Sequence, residues 1–166
     1  MTNIIFLDID GVLNCNPWQN KHPNEITEDE LIISEKVALL GELVKKTNAK
    51  LVLHSGWRFW FDSDLQPICK EAKVLARELK KEGLSITDIT PDFSTEEIRK
   101  TKKFSKVKAE EILAWLSKHE DINNWIVLDD LDLYNKIVKV HQIQIDANTG
   151  LCLEDICIAE KMLVRY

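Results

Sequence analysis

No stretch of the chain approaches the ~18 consecutive apolar residues of a bilayer-spanning helix, which excludes such a helix. The opening Met1-Thr2-Asn3-Ile4-Ile5-Phe6-Leu7-Asp8 has no basic segment, and its apolar run stops at a carboxylate. A secretory leader is therefore not expected, and a cytoplasmic location is. The four cysteines, Cys15, Cys69, Cys152 and Cys157, form no CxxC pair, which excludes a zinc ribbon or a disulfide framework and leaves reduced, mostly buried thiols as the expectation. A GxxxxGK[ST] run is missing, so P-loop kinase chemistry is excluded. Internal repeats, low-complexity tracts and linkers are absent too. Positive charge is in deficit, 22 basic against 28 acidic side chains for a net charge of −6, which argues against tight nonspecific binding to nucleic acid. What remains is 166 residues, 45% of them apolar, enough for one domain over residues 1–166 whose core needs no staples.

Three short apolar runs organise the chain. Ile4 to Leu7 is continuous and halts at Asp8-Ile9-Asp10-Gly11, as a strand buried on both faces does. Thr27-Glu28-Asp29-Glu30 has the spacing of a capping box, and the pattern after it predicts one helix reaching Lys46. Leu51-Val52-Leu53 is a second buried strand, followed by His54-Ser55-Gly56-Trp57-Arg58. A helix from about Asp64 to Glu82 with Gly83 as its C-cap, a strand within Leu84–Ile89 and a loop over 90–104 come next. Ser105 is expected to cap a helix carrying Val107, Ile112, Leu113 and Leu116 inward as far as about His119. Trp125-Ile126-Val127-Leu128 then ends in Asp129-Asp130. A short helix near Leu133, a strand over Val140–Ile145 and a terminal helix follow. This alternation predicts an α/β fold, a Rossmann-like three-layer sandwich around a mostly parallel five-stranded sheet, with ligands beyond the carboxyl ends of the strands.

Asp8 and Asp10 stand two apart at a strand end, so extended backbone sends both toward the same side, and Gly11 permits a sharp turn. If the strand ending in Asp129-Asp130 lies beside the first, three or four carboxylates share one crevice. Unit charges ~4 Å apart repel by about 4 kcal/mol at an effective dielectric near 20. Such a cluster needs a proton or a cation, and oxygen donors alone suit Mg²⁺.

These residues carry a family resemblance. Phe6-Leu7-Asp8-Ile9-Asp10-Gly11-Val12-Leu13 resembles the first motif of the haloacid dehalogenase-like (HAD) superfamily, Val52-Leu53-His54-Ser55 the second, Lys108 the third and Val127-Leu128-Asp129-Asp130 the acidic fourth. Ser55-Gly56-Trp57-Arg58, Lys108-Ala109-Glu110-Glu111-Ile112 with Trp115-Leu116, and Gly150-Leu151 are similar to the small HAD domains of bacterial RNA-repair (Swiss Army Knife) proteins.

The resemblance implies Mg²⁺-dependent phosphomonoester hydrolysis through an aspartyl-phosphate, with Asp8 as nucleophile and Asp10 as general acid and base. Ser55 and Lys108 would meet the phosphoryl oxygens, with Gly56 and Arg58 in the substrate-binding loop. Asp8, the Asp10 carbonyl and the fourth motif would hold the metal, Asp130 directly and Asp129 through water or by orienting Lys108. Lys106 competes with Lys108 for the lysine role, and Lys108 has the better spacing. Arg58 either clamps a second phosphate or is a salt-bridged loop arginine. Trp57, Phe59 and Trp60 either stack a ring or pack the loop. His54 points into the scaffold.

The run Arg99-Lys100-Thr101-Lys102-Lys103-Phe104-Ser105-Lys106-Val107-Lys108 is the one concentrated positive segment, a guide for a phosphorylated polymer if it rims the crevice and a solvated loop otherwise. By comparison with HAD enzymes of small metabolites, neither Asn14–Asn48 nor Arg58–Phe104 has room for a large cap domain. The expected substrate is thus a phosphate on a large molecule, foremost a nucleic-acid end. Protein or small-metabolite phosphatases are the near alternatives. A catalytically idle phosphate-binding module is the alternative of another class.

Overall fold

The computed structural model describes residues 1–15 and 23–164. Its centre is a five-stranded, all-parallel sheet in the order β3-β2-β1-β4-β5, with β1 at Thr2–Leu7, β2 at Lys50–Leu53, β3 at Ile86–Ile89, β4 at Ile122–Asp129 and β5 at Gln142–Gln144. The order reverses direction at β1, so the chain leaves β1 toward β2 and later returns to its other side as β4. The crevice at such a reversal is where open parallel sheets bind ligands.

Alternation along β1 divides the interior in two. Ile5 and Leu7 pack with Leu51, Leu53, Ile126 and Leu128 beneath α2 (Ser34–Thr47), α3 (Lys70–Lys81) and α7 (Leu153–Leu163). Ile4 and Phe6 face the other way, onto Ala109, Ile112 and Trp115 of α5 (Phe104–Leu116), with Val138 of α6 (Lys136–Lys139) alongside. Phe6 meets the rings of Trp115 and Trp125 edge-on, at 5.3 and 6.0 Å. The three layers expected from the alternation are thus present.

Several boundaries differ from the expectation. The helix foreseen from Thr27 to Lys46 is two, α1 (Glu28–Leu31) and α2, because Ile32 and Ile33 turn extended. Ile32 is buried, and the Ile33 N–H donates to the Leu13 carbonyl at 2.9 Å, so tertiary contacts outweigh the local helical pattern. The next helix starts at Lys70, since 61–67 close on themselves through a Phe61–Pro67 bridge with Leu65 left-handed. The expected loop over 90–104 contains α4 (Glu96–Thr101), whose N-terminus Thr95 caps through its side chain. Lys103, not Ser105, stands at the N-cap of α5. The cysteines are free but not buried in the core. Cys157 is exposed and the others half-buried, Cys69 and Cys152 because they occupy the N-caps of α3 and α7 at the edge of the molecule. Among the described residues no helix is long and apolar enough to cross a membrane.

Candidate active site

Register builds the site. Leu7 pairs with both Leu53 and Leu128, so the residues after them, Asp8, His54 and Asp129, come abreast. The Asp8 N–H donates to the Leu128 carbonyl and the His54 N–H to the Leu7 carbonyl, which carries the ladder one step beyond the strands. Being one past Leu7, Leu53 and Leu128, the three side chains turn to the α5 face. Lys108 comes down from α5 to meet them, its Nζ 2.6 Å from Asp129 Oδ2 and 3.3 Å from Asp8 Oδ1. Asp130 completes the group: Asp8, Asp129 and Asp130 bring one oxygen each to within 4.8 Å of one another.

The electrostatics follow from burial. Burial opposes the charge of Lys108, but Asp129 and Asp8 hold its ammonium well above the ordinary range. Burial first and Asp8 second push the Asp129 and Asp130 carboxyls up, Asp130 to about 6. Three carboxylates against one ammonium leave the cluster in excess of negative charge. Its donors are all hard oxygens, which fits a small divalent cation and not a thiophilic one. His54 is fully buried with Nε2 3.4 Å from Asp129 Oδ2, and burial, then Lys108 and Arg58, drive its imidazole well below its ordinary value, so it is neutral scaffold behind Asp129.

Gly11 makes the approach of Asp130 possible. It lies at φ +77°, and a Cβ there would stand 2.9 Å from Asp130 Cγ and 3.0 Å from Ala147 Cβ. The turn is fixed by Asn14, a fully buried side chain that the sequence reading passed over. Its Oδ1 accepts from the Gly11 N–H at 2.9 Å, while its Nδ2 donates to the Leu31 carbonyl at 3.0 Å and to Asp10 Oδ1 at 3.1 Å. Asp10 Oδ2 accepts from the Trp57 indole N–H at 3.1 Å. Burial pushes the Asp10 carboxyl up and Asp8 adds to this, with Asn14 and Trp57 pulling partly back. The signal for Asn14 was present as an Asp-Gly turn followed by a second polar residue within one helical turn.

Asp8, Asp10, Ser55, Gly56, Lys108 and Asp130 all line one cleft of about 870 Å³. Ser55, at the end of β2, is buried, and its Oγ accepts from the Trp57 N–H at 3.2 Å, which leaves the hydroxyl proton to donate. Lys106 is exposed on α5, outside this group. Trp57 is buried rather than open for stacking, and Trp60 packs on the core, whereas Phe59 is 53% exposed and belongs to the cleft wall.

Arg58 lines the cleft but is already engaged. It donates to the His54 and Ser55 carbonyls at 3.2 and 3.0 Å and to Glu111 Oε2 at 3.1 Å. Glu111 in turn accepts from the Phe93 N–H at 2.9 Å. Asp92 binds Arg99 at 2.9 Å and approaches Arg58 at 3.8 Å. This chain of contacts ties residues 90–103 to α5 and to the loop after β2, so that segment forms one wall of the cleft.

A family model described as the HAD domain in Swiss Army Knife RNA repair proteins matches residues 4–156, a span that contains both strand-end aspartate pairs, Ser55 and Lys108. No curated protein matches the chain. The chain belongs to this HAD domain family.

Proposed function

We propose that the chain is a Mg²⁺-dependent phosphomonoester phosphatase that works through an aspartyl-phosphate and acts on a terminal phosphate of a nucleic acid. The observation that carries the reading is the meeting of Asp8, Asp129 and Asp130 with Lys108 at the carboxyl ends of two neighbouring strands. The description of the family as a component of RNA repair proteins favours the nucleic-acid end over a protein or a small metabolite.

The Asp8 carboxylate attacks phosphorus while the bond from phosphorus to the leaving oxygen breaks. Asp10, as the acid, gives that oxygen its proton. Water then attacks the aspartyl-phosphate, Asp10 takes the water's proton, and the phosphorus–Asp8 bond breaks to release inorganic phosphate. Ser55 donates to a phosphoryl oxygen, and Lys108 sets a positive charge beside Asp8 where negative charge gathers. Asn14 and Trp57 hold the two Asp10 oxygens, so the proton donor is fixed before substrate arrives. Asp8, Asp130 and the Asp10 carbonyl would hold Mg²⁺, with Asp129 reserved for Lys108. When bound, the ion neutralises charge on the transferring group.

Hydrolysis of an aryl phosphate should need added Mg²⁺, stop with a chelator and return on replenishment. Asp8→Asn should lower the rate by about 10⁴-fold or more, as loss of a nucleophile does, with circular dichroism unchanged. Turnover that persists in folded Asp8→Asn removes the assigned nucleophile. Phosphate binding with no turnover in the intact chain supports the idle module instead.

A further inference from the structure

The phosphoryl end accounts for only part of the cleft. Beyond Asp8 and Lys108, the wall changes character to Phe59, Phe104, Val107 and Leu131. Phe59 and Leu131 are 53% and 37% exposed, so both offer apolar surface to an occupant of the cleft. The Phe59 ring is also held from one side, with the Arg58 guanidinium 4.5 Å from its centroid. Arg58 is in turn fixed by the His54 and Ser55 carbonyls and by Glu111. The ring is thus mounted on the same loop that carries Ser55.

Charge distinguishes the occupant. The chain carries −6 overall, yet basic side chains line this cleft away from the acidic cluster. Arg99 and Lys102 line the cleft, and of the neighbouring exposed lysines Lys100 is paired with Glu96 at 2.7 Å. Arg99 is committed to Asp92 and Ser94, so it braces the wall. Lys102 forms no ion pair among the described residues and remains available to an anion. A cleft that joins a phosphate-sized acidic and lysine-bearing end, apolar side chains with an open ring, and an unpaired lysine offers a partner for each of a terminal phosphate, its nucleobase and the next backbone phosphate. A phosphoserine peptide offers the first of these and carries no ring beside its phosphate.

We infer that this apolar stretch is a nucleobase subsite, in which Phe59 stacks the base of the phosphate-bearing terminal nucleotide and Lys102 meets the adjoining phosphate. The inference rests on the phosphatase reading for its orientation. It adds that the base itself is recognised through its face and without sequence preference, since every base offers a π-surface.

The test compares a short single-stranded oligonucleotide carrying a terminal phosphomonoester with the same oligonucleotide made abasic at that terminal nucleotide, and with a phosphopeptide. Phe59→Ala should lower kcat/KM on the intact oligonucleotide by about tenfold, the size of one base–aromatic stack. The loss should be much smaller on the abasic one, and Phe59→Trp should restore the difference. An equal loss on both oligonucleotides, or faster turnover of the phosphopeptide, overturns the subsite. If no substrate is turned over, the phosphatase reading fails by itself. Fluorescence anisotropy then decides the subsite, with Asp8→Asn and Asp8→Asn/Phe59→Ala compared on the same two oligonucleotides. Base-dependent affinity that vanishes with the ring supports it, and affinity blind to the base overturns it.

Discussion

At its inner end the cleft is walled by strand termini, where Asp8 and Ser55 are at most 5% exposed, whereas its mouth is walled by residues 90–103 and by side chains as open as Phe59, at 53%. The inner groups take their positions from strand register and from hydrogen bonds to the main chain. The mouth takes its shape from side-chain contacts among Arg58, Asp92, Arg99 and Glu111. Bond-making needs reacting atoms fixed to within an ångström, and a sheet supplies that. Recognition of a substrate body needs contact area and tolerates some give. Substitutions at the two ends should therefore differ in kind: inner ones alter the chemical step on every phosphomonoester, outer ones discriminate among substrates.

The severest break of that contrast is Lys108→Met, which should lower kcat/KM by about 10²–10³-fold on any substrate, the usual loss for one electrostatic contact in the transition state. It should also destabilise the metal-free protein, since removing one partner of a buried pair costs about 3–5 kcal/mol. Thermal melts with and without chelator measure this.

Asn14→Ala comes next, with a loss near 10²-fold from a displaced proton donor. The dependence on leaving group identifies its origin. An alkyl phosphate, which needs its oxygen protonated, should lose far more kcat/KM than a nitrophenyl phosphate, whose leaving group departs as an anion. Equal losses would mean that Asn14 only supports the fold.

Glu111→Gln probes the mouth. It keeps an acceptor for the Phe93 N–H but removes the ion pair to Arg58, so for an oligonucleotide the rise in KM should exceed the fall in kcat. Steady-state kinetics separate the two. The mildest test is ionic strength. A single phosphate contact gives a log–log slope of about −0.7, so raising salt from about 50 to about 200 mM should lower oligonucleotide kcat/KM by roughly 2–3-fold. A small phosphomonoester, which cannot reach Lys102, should show no such slope.

The inner end was more legible in the sequence than the mouth, for a physical reason. Strands buried on both faces write themselves as unbroken apolar runs, so the polar residue that stops each run marks the sheet's carboxyl edge. Asp8, His54 and Asp129-Asp130 stand out in this way, whereas Ser55 and the preference for Lys108 over Lys106 came from the resemblance to the HAD motifs. The mouth depends on which loops lie against which, and local pattern does not encode that. Arg58 left two readings open until its hydrogen bonds were seen. Trp57 and Phe59 are near neighbours of the same type, yet one is buried against Asp10 and the other stands open. The break at Ile32-Ile33 was hidden for the same reason, because it is fixed by the distant Leu13 carbonyl. Asn14 was missed because its partners, Asp10, Gly11 and Leu31, meet only after the turn has closed.

The turn at Gly11 sets a limit on redesign. Three stretches of chain converge there with less clearance than one methyl group requires, so the spacing between the two halves of the acidic cluster is calibrated by an atom the protein does not possess. The mouth can be rebuilt for other substrates without touching that tolerance. A single added carbon at this glycine would act as a shim under Asp130, shifting it from Asp8 and Asp129 while every carboxylate kept its identity.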